Sequence, residues 1–349
     1  MGKITEVSVD EKEKWNSIVR SFSNYDVFYL NEYVTAFMNE EEKNGLPILL
    51  YYENESERAI NVVFKRDISN DEKLLGRIEK DTYFDLISPY GYGGFWGHIE
   101  DYRALNEEYN FYCLNNGYVC EFVRFELFEE YRKYYDGYTE TRTHNVVRNL
   151  DISMDDIWMD FKQKVRKNVK RAISNNLEVI VDEQGCKIKD FLDIYYDTME
   201  RTNADKSFFF SKSFFEEINS MKGNFVYFHV LYKSKIIATE LVIYGSESAY
   251  SFLGGTKSEY FNLRPNDFLK YEIIKWCYIK GLKRFVLGGG HGADDGIFKY
   301  KTCFAPHGIS DFYIGHKIFD YKTYEKLVDI RKVQNPDCIK SVFFPKYRA

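Results

Sequence analysis

Residues 235–306 decide the fold, because they read as one ordered half-domain. KIIATELVIYG (235–245) and AYSFLGG (249–255) have the apolar, β-branched and aromatic composition of strands. RPNDFLKYEIIKWCYIKG (264–281) reads as a helix led by proline, and KRFVLGGG (283–290) as a further strand. The polar segment HGADDGIFKYKTCFAP (291–306), predicted to be a loop, follows that strand. Ligands of α/β proteins commonly bind just past strand ends, so this loop is the first candidate for a functional site.

Composition limits the classes of protein that fit. A chain of 349 residues with 44% hydrophobic content favours two domains, and its net charge of −6 argues against a protein that coats nucleic acid over its whole surface. The charged N-terminal sequence and the lack of an 18-residue apolar run predict a cytoplasmic protein without a transmembrane segment. Six dispersed cysteines without a CxxC pair favour reduced thiols and no metal cluster.

Helix and strand patterns alternate along the whole chain, which predicts an α/β fold with mixed sheets. In the first half we predict helices over 29–39 and 101–115 and strands over 48–53, 59–66, 83–88 and 119–127. The polar stretch 134–145 then marks a boundary, with domains at 1–150 and 151–349. The second half opens with one long helix after Ser153, where apolar residues recur every three or four positions up to Ile173. Both halves run helix, strands, helix, strand, so we expect a tandem of two similar folds.

Several residues of the second half are candidates on their own chemistry. Lys301, beside Tyr300, could stabilise an oxyanion during acyl transfer or hold a phosphate; the alternative is a solvated loop lysine. Gly289, Gly290 and His291 lie in a glycine run whose bare N–H groups can approach an anion, although turn geometry alone would also explain them.

Two further candidates lie on the neighbouring strands. Glu240 interrupts an apolar strand, so its carboxylate either faces solvent or is buried with a partner; a buried carboxylate could act as a base. Tyr250, on the next strand, could line the same cleft.

Four segments resemble the FemABX-like branch of the GNAT superfamily, which includes Fem aminoacyltransferases and proteins described only as acetyltransferases. They are SPYGYGG (88–94), FVRFEL (122–127), KVRKNVKRAISNNLEVIV (164–181) and GIFKYKTCF (296–304). The resemblance covers most of the chain. It implies two GNAT-like domains, with the acceptor on the N-terminal side and the donor and catalytic side in the C-terminal domain.

The resemblance also assigns roles to individual residues. Tyr300 and Lys301 match the aromatic–Lys pair of the Fem pattern and would act near the donor carbonyl. Tyr90, Tyr92 and Gly93 would contact the acceptor, and Asp85 matches an acid near the acceptor amine. A general base at Asp85 would require a raised pKa.

Two basic regions complete the candidates. Lys212, with phenylalanines at 214 and 215, stands where bridge-forming relatives have an Arg and a Tyr against a nucleotide diphosphate. Arg166, Lys167 and Lys170 lie on a basic helix for which a solvated face is the ordinary interpretation and docking of tRNA phosphates the functional one.

Together these features predict a transferase that places an acyl or aminoacyl group on an amine by direct attack. No nucleophile elbow, Cys–His pair or metal-ligand cluster occurs in the sequence, so we expect no acyl-enzyme and no tightly bound cofactor. Aminoacyl-tRNA is favoured as donor, since the [QR]-x-x-G-x-[GA] loop of CoA-dependent relatives is missing before residue 264. The acceptor would be a small-molecule or peptide amine such as a cell-wall (peptidoglycan) precursor.

Two alternatives remain open at this stage. One is an acyl-CoA-dependent N-acetyltransferase or related N-acyltransferase acting on an amino sugar of surface polysaccharide. The other is a noncatalytic GNAT-like binding protein. The sequence leaves the oligomeric state open.

Overall fold

The computed structural model describes residues 2–40, 45–290 and 295–349. Its helices are α1 (Lys12–Arg20), α2 (Asn31–Glu40), α3 (Tyr102–Asn115), α4 (Tyr131–Tyr134), α5 (Met154–Asp160), α6 (Gln163–Ser174), α7 (Ile188–Arg201), α8 (Lys212–Ile218), α9 (Pro265–Ile279), α10 (Gly296–Thr302) and α11 (Tyr321–Lys332). Its strands are β1 (Lys3–Ser8), β2 (Leu46–Glu53), β3 (Arg58–Asp67), β4 (Phe84–Ile87), β5 (Trp96–His98), β6 (Tyr118–Arg124), β7 (Tyr138–Asn149), β8 (Glu178–Asp182), β9 (Phe225–Tyr232), β10 (Lys235–Tyr244), β11 (Ser248–Thr256), β12 (Arg284–Gly288) and β13 (Ile309–Ile318).

The chain divides into two compact units. Unit 1 comprises Met1–Phe22, Phe28–Arg142 and Phe312–Ala349, and unit 2 comprises Ser23–Val27 and Thr143–Asp311. The division predicted at 150/151 therefore differs from these units in three ways, the first being that Ser23–Val27 belongs to unit 2. The change of unit after Arg142 falls within β7, and the segment after Asp311 packs with the first unit because β13 pairs with β6.

The sheet of unit 1 has the strand order β1-β2-β3-β4-β6-β13. Neighbouring strands are antiparallel except β4 and β6, which run parallel and are connected through α3. Asp101 begins α3 as its N-cap and accepts a hydrogen bond from the Ala104 N–H at 3.0 Å.

The sheet of unit 2 repeats this plan in the order β8-β9-β10-β11-β12-β7. Its strands are antiparallel except β11 and β12, which run parallel and are connected through α9. The predicted hairpin at 232–235 is present, and Lys233 and Ser234 both have the positive φ that a type I′ turn requires. Four antiparallel strands, one parallel crossover and a final antiparallel strand thus occur in both units, which is the tandem of mixed α/β folds that the sequence predicts.

Each unit has its own apolar core. In unit 2, Val226, Phe228 and Val230 of β9 are fully buried together with Ile273 and Ile274 of α9. In unit 1, aromatic side chains dominate the core, and Tyr109 of α3 is buried against Phe95 with ring centroids 5.0 Å apart. The dense Tyr and Phe content therefore serves packing first.

Two predicted elements are wrong in detail. The long helix after Ser153 is two helices, because Phe161 and Lys162 have extended backbone with ψ of 140° and 143°. The Lys162 N–H leaves the helical ladder and donates to the Cys303 carbonyl at 2.9 Å. The segment 291–306, predicted to be a loop, contains α10, whose N-cap Asp295 accepts from the Phe298 N–H at 2.7 Å. Seven elements were not predicted: β1, α1, β5, α4, α8, β13 and α11.

Candidate active site

The parallel strands of unit 2 separate before they end. These strands, β11 and β12, pair from Ser248 opposite Arg284 to Tyr250 opposite Val286. Beyond that point β11 continues to Thr256 and β12 to Gly288 without pairing with each other. Beyond Tyr250, β11 stays paired with β10, as Gly254 opposite Glu240 shows. The separation leaves unpaired backbone edges at the carboxyl ends of β11 and β12, where backbone groups can bind a ligand.

Lys301 lies beside the end of β12. It belongs to α10, and its Nζ donates a hydrogen bond to the Gly289 carbonyl at 2.6 Å. Burial and the neighbouring charge of Lys270 lower the pKa of Lys301 from 10.5 to about 8, against the opposing effect of Glu240 and Asp295. A lysine in this environment loses its proton at a pH much closer to neutral than a surface lysine does.

Glu240 is not a free carboxylate. It is 5% exposed on β10, and one of its oxygens accepts a very short hydrogen bond from Lys270 Nζ of α9. The same Lys270 Nζ donates to Ser251 Oγ of β11 at 2.6 Å. The sequence indicated that Glu240 would either face solvent or be buried with a partner, and the structure shows the buried pair.

Tyr300 precedes Lys301 on α10 and packs edge-on against Phe304, with ring centroids 5.3 Å apart. Burial raises the pKa of its hydroxyl well above the usual value, and the carboxylates of Asp267 and Glu240 act in the same direction. The hydroxyl is buried and has no hydrogen-bond partner within the described ranges. A buried hydroxyl without a partner costs free energy, so the Tyr300 hydroxyl is a candidate for contact with a ligand.

A cavity of about 530 Å³ lies in unit 2 between α6, α10 and the N-terminus of α9. Tyr300 lines it together with three cationic side chains, Lys164, Arg264 and Lys299, and one acid, Asp267. The remaining lining residues are Val165, Asn168, Phe261, Pro265, Asn266, Gly296 and Cys303. Three cations against one carboxylate make the cavity suited to an anionic ligand.

The N-terminus of α9 adds to this preference for anions. Pro265 occupies the first turn, and Arg264 before it has a left-handed backbone with φ of 63°. The first turn of a helix presents N–H groups without intrahelical partners, which attract anions. Asp267 in this turn accepts from Asn168 Nδ2 at 3.1 Å, and burial raises the pKa of its carboxyl although Arg264 lowers it.

Other candidates of unit 2 lie elsewhere. The Tyr250 hydroxyl donates to Asp26 Oδ2 at 2.5 Å in a buried site. Lys212 begins α8 on the surface, 73% exposed, where it pairs with Glu216 at 3.1 Å. His291 lies outside the described residues. A Cβ atom at Gly290 would lie 2.4 Å from Oδ1 of Asp295, so a larger residue there would displace the Asp295 side chain.

The basic side chains of α6 have two different environments. Arg166 Nη1 donates to the carbonyls of Met159 at 2.7 Å and of Phe161, so this guanidinium closes the C-terminal end of α5. Lys167 and Lys170 are exposed and form no ion pair within the part of the chain that the structure describes. These two lysines remain available for an anionic partner.

Asp85 of unit 1 is fully enclosed in an ionic cluster. Arg66 Nε and Arg348 Nε each lie 2.6 Å from its oxygens, and the Tyr347 hydroxyl donates to it at 2.8 Å. Burial alone would raise the pKa of Asp85, but the two guanidinium groups lower it below its ordinary value. A general base would require a raised pKa, so the environment of Asp85 is the opposite of what that role demands.

The segment SPYGYGG forms a fixed turn in unit 1. The Gly93 N–H donates to the Arg124 carbonyl at 2.7 Å, and a Cβ atom at Gly93 would lie 2.9 Å from that of Ser88. Tyr92 is buried edge-on against Phe28. Tyr90 is 48% exposed and presents its ring to solvent. Of the two tyrosines, only Tyr90 is open to a ligand in this arrangement.

Sequence reasoning did not identify Arg264, Asp267 and Lys270 as members of the site. The Arg-Pro pair at 264–265 was a signal for Arg264 and Asp267, since a proline in the first turn fixes where the helix begins and which residues surround its N-terminus. Lys270 carried no such signal, because it meets Glu240 only where helix α9 packs against strand β10.

Comparisons with known proteins agree with this architecture. Residues 160–302 match the family described as "Acetyltransferase (GNAT) domain". A search of curated protein sequences gave no match. The crystal structure of FemX is similar with a TM-score of 0.67 and 13% identity, covering 93% of this chain and 99% of that one.

Two more solved structures share the fold. The C-terminal domain of a putative lysylphosphatidylglycerol synthetase from Agrobacterium fabrum has a TM-score of 0.55 and 13% identity, covering 93% of this chain and 94% of that one. A conserved protein of unknown function from Bacteroides thetaiotaomicron has a TM-score of 0.57 and 10% identity, covering 90% and 99%.

Residues 160–302 of unit 2 thus form a GNAT domain of the acyltransferase class. The fold of the chain, two units of the same plan in tandem, is similar to that of FemX, in agreement with the resemblance of the sequence motifs. No helix among the described residues is long and apolar enough to cross a membrane, and no group of His, Cys, Asp and Glu among them could hold a metal ion.

Proposed function

We propose that the protein transfers an aminoacyl group from aminoacyl-tRNA to an amine. The observation that carries the proposal is the cationic cavity of unit 2, in which Lys164, Arg264 and Lys299 surround the N-terminus of α9 and Tyr300 forms part of the wall. Lys301 follows Tyr300 on α10. Such a cavity suits a donor that brings its carbonyl on a phosphate-bearing carrier.

The charges outside the cavity favour tRNA as that carrier. Lys164 lines the cavity, and the exposed Lys167, Lys170 and Arg171 continue the positive charge along α6. A nucleic acid reaches well beyond one cavity, and its phosphates bind lysine and arginine side chains in a salt-dependent way. The sequence motifs that resemble the Fem aminoacyltransferases favour the same donor.

In the proposed reaction a neutral amine attacks the ester carbonyl of the donor. The Lys301 ammonium, already held by the Gly289 carbonyl, donates a hydrogen bond to the oxyanion that develops on that carbonyl. The C–N bond forms, the C–O bond to the ribose breaks, and the amine proton leaves with the departing hydroxyl or to water. No covalent intermediate with the protein is needed.

The acceptor in this proposal is an amine on a small molecule or peptide, such as a cell-envelope precursor. We propose that this amine compound binds to unit 1 at the turn at 88–94, where Tyr90 is 48% exposed.

Acyl-CoA is the second candidate donor. The match of residues 160–302 to an acetyltransferase domain favours it, as does a cavity at a helix N-terminus that can accept a pyrophosphate. This donor would use Arg264 and Lys299 but not the exposed lysines of α6.

One experiment separates the two donors. The purified protein is mixed with an amine acceptor and either charged tRNA or acetyl-CoA, and consumption of each donor is followed. Consumption of charged tRNA that RNase abolishes supports the proposal, whereas turnover with the CoA thioester alone refutes it.

Matched charge-reversal variants test the role of α6. Lys167→Glu/Lys170→Glu should weaken tRNA binding and lower the slope of log affinity against log salt by about one for each lost phosphate contact. Lys322→Glu/Lys326→Glu on α11 changes the net charge equally at exposed positions and serves as the control. Equal losses in both variants would show a bulk charge effect and contradict docking on α6.

A further inference from the structure

Arg124 ends β6 in unit 1 beside the turn at 88–94. Its Nη1 donates only a long hydrogen bond, 3.3 Å, to the Ser88 carbonyl, and its guanidinium lies 5.2 Å from the centre of the Phe122 ring. The side chain is half-buried, and across residues 2–40, 45–290 and 295–349 no carboxylate pairs with it. Most of its N–H groups therefore have no acceptor there.

A second guanidinium, that of Arg66, lies near Arg124. Burial lowers the pKa of Arg124, and the charge of Arg66 acts in the same direction. Asp85, the acid that pairs with Arg66, is already occupied by Arg66, Arg348 and Tyr347. Half-burying a cation without an anion is costly, and proteins accept such a cost mostly at sites that bind one.

A partly exposed aromatic side chain, Tyr90, lies near the guanidinium. The Tyr90 ring stacks on Phe37 with centroids 5.2 Å apart, and the Tyr33 hydroxyl fixes the Tyr90 backbone through its carbonyl at 2.8 Å. Tyr90 interacts electrostatically with Arg124, so the ring edge and the cation lie within one small region. The segment is thus held in place, with the Tyr90 side chain stacked on Phe37 and 48% exposed.

We propose that Arg124 and Tyr90 form an oxyanion-binding subsite that holds a carboxylate or phosphate of the acceptor. The guanidinium offers its free N–H groups in the forked geometry that pairs with two oxygens, and the Tyr90 ring packs against the group that carries them. This inference rests on the proposed function only in assigning the bound anion to the acceptor, and the binding itself requires no donor.

Chemical protection tests the subsite in the unaltered protein. Phenylglyoxal modifies accessible arginines, and mass spectrometry reports the rate at each one. Benzoate should slow modification of Arg124 at least about tenfold at saturation without slowing that of Arg103, an exposed arginine on α3 that pairs with Glu107. Inorganic phosphate is the second probe. Protection by benzoate alone identifies a carboxylate subsite, and protection by phosphate alone a phosphate subsite.

Variants provide the second measurement. Arg124→Ala should weaken benzoate or phosphate affinity by about tenfold or more, the loss expected for one charge-assisted pair, while Arg103→Ala keeps it. Arg124→Lys should retain more affinity for phosphate than for benzoate, because an ammonium cannot form the forked pair.

Three outcomes would overturn the inference: no protection of Arg124 by either probe, equal protection of Arg103, or unchanged affinity in Arg124→Ala. If that variant does not fold, the protection experiment decides alone. Because neither probe is a donor, their binding is unaffected if the donor proves to be acyl-CoA.

Discussion

Replacing Lys301 with methionine should make the protein more stable at neutral pH and remove a pH-dependent part of its stability. The folded state lowers the pKa of Lys301 from 10.5 to about 8, chiefly through burial. Below about pH 8 the folded protein therefore carries a charge that the unfolded chain solvates better. Methionine has a similar length without the charge.

The size of the effect follows from the shift in pKa. Each pKa unit corresponds to about 1.4 kcal/mol, so the penalty at pH 7 has an upper limit of about 3 kcal/mol. The unfolded state binds more protons between pH 8 and 10.5, so the stability of the unaltered protein rises with pH through that range. Lys301 is only half-buried, so the full penalty is not expected. We expect the extra stability of Lys301→Met over the unaltered protein to shrink by about 1–2 kcal/mol between pH 7 and 9.5.

Urea unfolding of both proteins at several pH values measures this difference, and other titrating groups largely cancel in it. Lys299→Met, at an exposed position two residues earlier on α10, is the control. The difference in free energy of unfolding between this variant and the unaltered protein should change less with pH. A Lys301→Met difference that stays constant from pH 7 to 9.5 would refute the argument that burial lowers this pKa. The part of this difference in free energy that does not vary with pH also includes the lost hydrogen bond to Gly289. Only the pH-dependent part therefore tests the argument.

Three further substitutions have defined consequences. Asp85→Asn removes the buried charge that Arg66 and Arg348 share, although Arg348 keeps Asp71, and should lower the free energy of unfolding by about 3–5 kcal/mol in urea titrations at pH 7; the loss should diminish below about pH 4, where the unfolded carboxylate takes up a proton before the native one does. Lys270→Met leaves Glu240 buried without its cation and should cost about 3–5 kcal/mol in the same measurement; an unchanged midpoint would show that the pair contributes nothing. Gly255→Ala places a Cβ atom 2.7 Å from the Ile194 carbonyl and should lower stability by about 1–3 kcal/mol, measured by thermal melting.

The sequence was a good guide wherever a local signal determined structure. Ser153 begins a helix by accepting from the Asp156 N–H, as its position before two acids indicated. The apolar strand β10 and the hairpin before it follow from composition and from two residues with positive φ. Periodicity failed at Phe161, because the apolar spacing that predicts one helix is equally satisfied by two helices that meet at an extended pair of residues.

The candidate site was predictable only in part, since contacts between distant strands and helices decide it. Lys301 was identified by a motif, but its lowered pKa depends on Lys270, thirty-one positions earlier in the chain. Asp85 looked like a strand-end acid, and Arg348 turned it into a buried ion-pair partner. No local pattern connects residues 263 positions apart.

The environments of the carboxylates also narrow the chemistry. Asp85 is held ionised by two guanidinium groups, so proton uptake there would weaken two existing buried ion pairs. That cost makes Asp85 a poor proton acceptor during a reaction, and Glu240 is already engaged by Lys270. Attack by an amine on an ester needs a neutral amine at the start and a base only after the C–N bond has formed. A site that desolvates the amine and presents the Lys301 ammonium to the carbonyl therefore meets the requirements of aminoacyl transfer without a carboxylate base.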